Sequence, residues 1–170
     1  MPSRFSKTSL LGWPGVIALT VVAMDHLTKY LVYANWPDPA AGNEIVIIPG
    51  VFSLVHVRNL GAAWGIFHQY TWLLAVISLL AALVLIVFFK PLSEGKPPLA
   101  LAYGTLLGGI LGNFIDRAFF SEGVVDFLDF HLGRAWSWPA FNVADGAITC
   151  SVIFLLVYAV FFERHEKSVK

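Results

Sequence analysis

From Tyr70 to Phe89 the chain carries no charged residue. A run of that length matches the roughly 20 residues that take an α-helix across the hydrocarbon core of a bilayer. Three further stretches have similar length and character, so spans are expected at about 13–34, 70–90, 98–119 and 140–162. Composition agrees: 58% of the 170 residues are hydrophobic and 13% are charged, which excludes an ordinary soluble domain. The formal net charge is zero, so no basic surplus points to nucleic acid. The expected fold class is membrane α-helical, a single integral membrane domain over residues 1–170 with four transmembrane helices.

Arg4 and Lys7 precede the first span in the manner of a signal peptide. The apolar run from about Trp13 to Tyr33 is longer than a signal-peptide core, holds Asp25 and Lys29, and has no small-residue cleavage site after it, so it is expected to remain as a span. Lys90-Pro91 is expected to end the second span. Basic residues then set orientation. Arg4, Lys7, Lys90, Lys96, Arg164, Lys167 and Lys170 place both termini and the 90–97 loop in the cytoplasm. The other two loops face outward, with Arg58 and Arg134 as their basic residues. Trp36, Tyr70, Trp72, Trp136 and Trp138 mark outer helix ends, and Trp13 and Tyr103 mark inner ones.

The outer loop at about 35–69 holds two β-branched runs, Glu44–Ile48 and Val51–Arg58, on either side of Pro49-Gly50. That pattern predicts a small antiparallel sheet outside the membrane, lying on the interface, cradling something greasy, or packing as a lid on the helix ends. Between spans three and four a short outer loop is expected. Cys150, the single cysteine, allows no internal disulfide and reads as a small packing residue.

The polar residues inside the spans carry the functional information. Asp145 lies six residues past Pro139, about 9 Å below the outer end of its helix; Asn113 lies about 10 Å down and Asp25 about 16 Å down. Asp25 and Lys29 are four apart, Asn113 and Arg117 are four apart, and Asn142 and Asp145 are three apart, so each pair shares a helix face. All fall in the outer half of the bilayer, where one pocket can hold them. Asp126, at the lip of a membrane segment, and Asp145 are both carboxylates in apolar surroundings. Such groups must be neutralised, paired or used, which suggests a two-aspartate active site at the membrane surface. Other readings of individual residues stand beside this one: Asp25 and Lys29 as a self-satisfying ion pair, Asp116 as an interfacial anchor, and Asp129 as solvated or capping. Gly104, Gly108 and Gly112 recur every four residues and read as a stripe for close helix packing. The five histidines share no metal-ligand spacing with one another or with Cys150, so neither metal nor cofactor is expected.

These motifs resemble the bacterial lipoprotein signal peptidases, the signal peptidase II family. The resemblance rests on Asp25–Lys29, Asn59–Gly65, Gly112–Arg117, Val124–Phe127 and Phe141–Asp145, in that order across four spans. Trp64 stands where a phenylalanine is usual, and the Phe119–Gly123 spacer is about one residue longer than is common. What the resemblance implies is an aspartic endopeptidase that removes the signal peptide of diacylglyceryl-modified prolipoproteins, cutting before the lipidated cysteine. Its aspartate dyad maps onto Asp126 and Asp145. Its supporting polar positions map onto Asp25, Lys29, Asn59, Gly61, Asn113, Asp116, Arg117 and Asn142, and the Ala62–His68 segment is expected to clamp the peptide. The implied setting is a bacterial cytoplasmic (inner) membrane, with the site on the outer side, prolipoprotein and membrane lipid as partners, and a monomeric protein. On the residues alone, a proton-coupled transporter, a lipid-binding protein and an intramembrane protease of another type remain open.

Overall fold

The computed structural model describes residues 9–61, 66–67, 69–133 and 136–161. Arg4, Lys7, Ala62–Gly65, His68, Arg134, Arg164, Lys167 and Lys170, on which part of the orientation and the peptide clamp rest, lie outside the described residues. Four helices have the length and apolarity to cross a membrane: α1 (Trp13–Asn35), α2 (Thr71–Ser93), α3 (Pro97–Phe119) and α4 (Val143–Phe161). Pro14 and the Pro97-Pro98 pair stand in the first turns of α1 and α3, where a missing N–H costs nothing and the fixed φ favours the helix. Pro91 does not end α2 as expected. The helix runs on to Ser93 and stops where Glu94 and Gly95 turn left-handed. The hydrogen bond that Pro91 cannot make falls in the last turn, where water is at hand.

α3 is the centre of the bundle. Just over half (56%) of its membrane-spanning window is buried, against 11–22% for the other three, and it packs on each of them. The small-residue stripe makes this possible. A Cβ at Gly108 would meet the Ala18 carbonyl oxygen of α1 at 2.7 Å, and one at Gly109 would meet the Ala144 carbonyl oxygen of α4 at 2.6 Å. Backbones this close leave no room for a side chain, so α1 and α4 are fixed against α3. α2, the most apolar helix, packs on α3 and carries none of the polar residues singled out above.

The expected hairpin forms from β1 (Glu44–Ile48) and β2 (Phe52–Asn59), but the sheet is larger than the sequence suggested. The stretch read as a short outer loop is mostly strand: β3 (Val124–Leu132) pairs antiparallel with β2, and β4 (Trp136–Ser137) pairs with β3, in the order β1-β2-β3-β4. Asp126 therefore sits in a strand rather than on a helix lip, opposite Val57. A bulge between Leu54 and Val57 bends β2 beside it. Asp129 is not a cap: it lies in β3, 3.3 Å from His131 Nδ1.

α4 starts later than expected, at Val143, so Asp145 belongs to its first turn rather than lying six residues down a helix. Asp25, ten residues before the end of α1, accepts a hydrogen bond from the Ala144 N–H at 2.9 Å, so α4 begins beside the interior of α1 rather than beside its C-terminal end. Residues 138–142 precede α4 as irregular backbone, and residues 138–141 line a cleft together with Asp126 and Asp145, the setting in which non-helical backbone is tolerated between spans. Cys150 is exposed, not a buried packing residue.

Candidate active site

Residue 141 fixes the site. Its carbonyl accepts from the N–H groups of Phe127 and Leu128, and its N–H donates to the Leu128 carbonyl, which staples the start of α4 to β3. Phe130 stacks between Phe52 and Phe141, with ring centroids 4.5 and 5.8 Å apart, and holds the same junction from the sheet side. The next residue, Asn142, is consequently set between Asp126 of β3 and Asp145 of α4.

Asn142 is fully buried and works in both directions. Its side-chain oxygen accepts from the Asp145 N–H at 2.9 Å while its own N–H donates to Asp145 Oδ2 at 3.3 Å, a reciprocal cap on the first turn of α4. Its amide nitrogen donates to Asp126 Oδ1 at 2.7 Å. One asparagine thus bridges both carboxylates. Asn59 Nδ2 donates to the other Asp126 oxygen at 2.9 Å, and Asn113 Nδ2 donates to Asp145 Oδ1 at 2.7 Å. Asp126 is 2% exposed. Burial, with the Asp145 charge beside it, pushes the Asp126 carboxyl up to about 7, and the amides of Asn59 and Asn142 hold it from rising further.

A cluster of charged side chains lies between α1 and α3. Lys29 Nζ donates to Asp25 Oδ2 at 2.6 Å, Asp116 Oδ2 at 2.5 Å and Asn113 Oδ1 at 3.3 Å, which uses all three of its protons. Asp25 and Lys29 do pair, but not as a closed unit, since Asp25 also caps α4 and Lys29 orients Asn113. Asp116 is not an interfacial anchor. It is buried three residues from Asn113, on the face turned to α1, where Lys29 supplies its counter-charge. On the other flank the Gly61 N–H donates to Asn59 Oδ1 at 2.9 Å, and the Gly61 carbonyl accepts from Arg117 Nη2 at 3.2 Å. The ten residues singled out in the sequence therefore form one connected hydrogen-bond network.

The dyad opens into a cleft of about 400 Å³ with apolar walls from Phe141, Ile148 and Trp138 and a polar end at Asn59, Arg117, Asp126 and Asp145. Arg117 Nε is buried there with no partner among the described residues. Among the described residues no group of three or more His, Cys, Asp or Glu side chains gathers as a metal site would need. Sequence reasoning missed β3 and the capping role of Asn142. The first had a signal, the alternation of Leu128, Phe130 and Leu132 with Asp129 and His131. The second had one in Asn three residues before Asp ahead of an apolar run.

A family model described as signal peptidase (SPase) II matches residues 17–162. The chain is 38% identical over 152 residues to the lipoprotein signal peptidase of Geobacillus kaustophilus (strain HTA426), covering 89% of this chain and 96% of that protein. It is 36% identical over 155 residues to the lipoprotein signal peptidase of Listeria monocytogenes serotype 4a (strain HCC23), covering 91% and 97%. Two solved bacterial membrane enzymes share its fold at 32% identity. Their TM-scores are 0.80 and 0.77, covering 91% and 92% of this chain and 91% and 97% of theirs.

Proposed function

The chain belongs to the signal peptidase II family, whose activity is signal-peptide removal from prolipoproteins, and from that premise we propose an aspartic endopeptidase that cleaves before a lipidated cysteine. The observation that carries this reading is the bridging of Asp126 and Asp145 by Asn142 at the polar end of an apolar cleft. Two adjacent buried carboxylates do not both ionise readily, so near neutral pH they share one proton. Asp126, 2% exposed where Asp145 is half-buried, is the better place for it. Asp145, in the first turn of α4 where the helix dipole favours negative charge, is the better anion.

In this mechanism Asp145 takes a proton from the attacking water, and Asp126 supports the oxyanion and then protonates the leaving amine. Arg117 Nε offers a donor for a substrate carbonyl. Asn59, Asn113 and Asn142 hold the carboxylates, and Asp25, Lys29 and Asp116 hold Asn113. The apolar walls of the cleft take the lipid-bearing part of the substrate. We place the sheet and the dyad on the outer side of the bacterial inner membrane, with both termini in the cytoplasm.

The test offers purified protein one precursor peptide with and without a diacylglyceryl group on its cysteine and follows cleavage by mass. Cleavage of the lipidated form alone is expected. Equal cleavage of both would leave an aspartic protease without the lipid requirement, and cleavage of neither by folded protein would remove the peptidase reading.

The pH profile is a second expectation. The one-proton dyad is lost as pH rises through the Asp126 value of about 7, so the rate should fall on that alkaline side. Replacing Asn59 by alanine removes a hydrogen bond that holds the value down, and the alkaline limb of the residual activity should move to higher pH. An unmoved limb would show that another group titrates there.

A further inference from the structure

On the far side of β3 from the dyad lies another cavity, of about 530 Å³. Arg58 and Val125 close it from the sheet, His26 and Tyr33 line it from α1, and Asp116 and Phe119 line it from α3. The peptidase mechanism leaves it unused. Two nitrogen atoms of its lining residues, Arg58 Nε and His26 Nε2, are buried and have no hydrogen-bond partner among the described residues. A buried guanidinium N–H without an acceptor is costly, so the wall suits a ligand that brings oxygen acceptors.

Arg58 is already in position. Its Nη2 donates to Glu122 Oε2 at 2.8 Å, and its guanidinium lies 5.3 Å from the centroid of the Tyr33 ring. The Arg58 side chain is 18% exposed and that of Glu122 is 66% exposed, so Glu122 is a solvent-screened partner that a stronger acceptor can displace. Lys29, the other cation of the wall, is engaged by Asp25 and Asp116. At the mouth, Tyr30, Phe119 and Phe120 are exposed at the outer ends of α1 and α3, where a bilayer gives way to headgroups. The cavity thus has a polar end, where Arg58 and Lys29 are matched by Glu122 and Asp116 and only the Arg58 partner is solvent-exposed, and an apolar rim at interfacial level.

We propose that this cavity is a phospholipid headgroup site, with the phosphodiester on Arg58 beside His26 and the acyl chains running along Tyr30 and Phe119. Arginine suits the role because its planar fork can give two parallel hydrogen bonds to phosphate oxygens. The site does not depend on the peptidase reading: Arg58, which would hold the phosphodiester, is not one of the ten network residues, although Lys29 and Asp116 of the wall are, and His26 Nδ1 lies 3.6 Å from Asp116 Oδ1.

The test uses the full chain, stripped of lipid in detergent, with dioctanoyl phosphatidylglycerol, dioctanoylglycerol and glycerol phosphate as probes, read by native mass spectrometry and thermal unfolding. Saturable binding and a raised Tm are expected with phosphatidylglycerol alone. Arg58→Gln should weaken that binding about tenfold or more, the scale of a lost charge-assisted hydrogen bond. Glu122→Gln, which frees Arg58 and removes a competing carboxylate, should tighten it, a change that a merely damaged fold does not produce. Equal binding of dioctanoylglycerol would make the cavity a plain apolar groove, and equal binding of glycerol phosphate would assign it to a soluble phosphate. Either result, or unchanged affinity in both variants, overturns the proposal.

Discussion

Asp145→Asn is expected to lower the rate of prolipoprotein cleavage by about 10²–10⁴-fold, the usual contribution of a positioned general base, while the protein still folds. Asparagine keeps the shape of the side chain and an oxygen to accept from Asn113 Nδ2; its NH₂ gives up the long 3.3 Å bond from the Asn142 N–H, while the bond from the residue 145 N–H to Asn142 Oδ1 keeps the other half of the cap on α4. What disappears is the anion that we propose takes a proton from water. Asp126→Asn should be equally damaging to catalysis but harsher on the site. Both Asp126 oxygens accept amide N–H groups, from Asn59 and Asn142, and an NH₂ in place of one oxygen sets donor against donor. Because the bonds to Asp126 are 2.9 and 2.7 Å long and the weaker of the two to Asp145 is 3.3 Å, a larger fall in Tm is expected for Asp126→Asn than for Asp145→Asn, beside the common loss of activity. Wild-type rates in either folded variant would sink the dyad. A non-enzymatic lipid-binding protein would lose nothing from either change.

How much of this was legible in the sequence depended on whether a residue's role was local. The four spans were legible because apolar length is a local property. The polar pairs were legible too, because three- and four-residue spacings place Asn113 with Arg117, or Asp25 with Lys29, on one face whatever lies opposite. The hairpin of Glu44–Ile48 with Phe52–Asn59 was signalled by β-branched runs around Pro49-Gly50. The pairing of β2 with β3 was not, because it joins Asn59 to Val124 across two helices. Asp116 was misread for a related reason. Near a helix end a carboxylate looks like an anchor, and only the fold places Lys29 of α1 against it. The sequence suggests too early a start for α4 because Pro139 reads as the proline favoured in a helix's first turn. The backbone that follows it is taken by β3 instead, through the bonds of residue 141.

That cross-helix cluster gives the largest expected effect on stability. Lys29 is 4% exposed and its one charge serves Asp25 and Asp116, which are equally buried. Lys29→Met keeps much of the side-chain volume but leaves two carboxylates in the bundle without their cation. Removing one partner of a buried ion pair typically costs about 3–5 kcal/mol, so Lys29→Met should show a large drop in Tm in detergent and poor recovery from the membrane. The cause is testable by removing the charges as well. If uncompensated carboxylates are the fault, Lys29→Met combined with Asp25→Asn and Asp116→Asn should recover most of the lost stability, because a neutral set has no stranded charge. Cleavage activity should not return with it. Without Lys29 Nζ, Asn113 Oδ1 loses one of its two donors, and the amide that holds Asp145 is free to turn. A stable, inactive triple variant would separate the cluster's contribution to the fold from its orientation of the dyad. A Lys29→Met protein as stable as the parent would mean instead that Asp25 and Asp116 sit there as neutral acids that never needed the lysine.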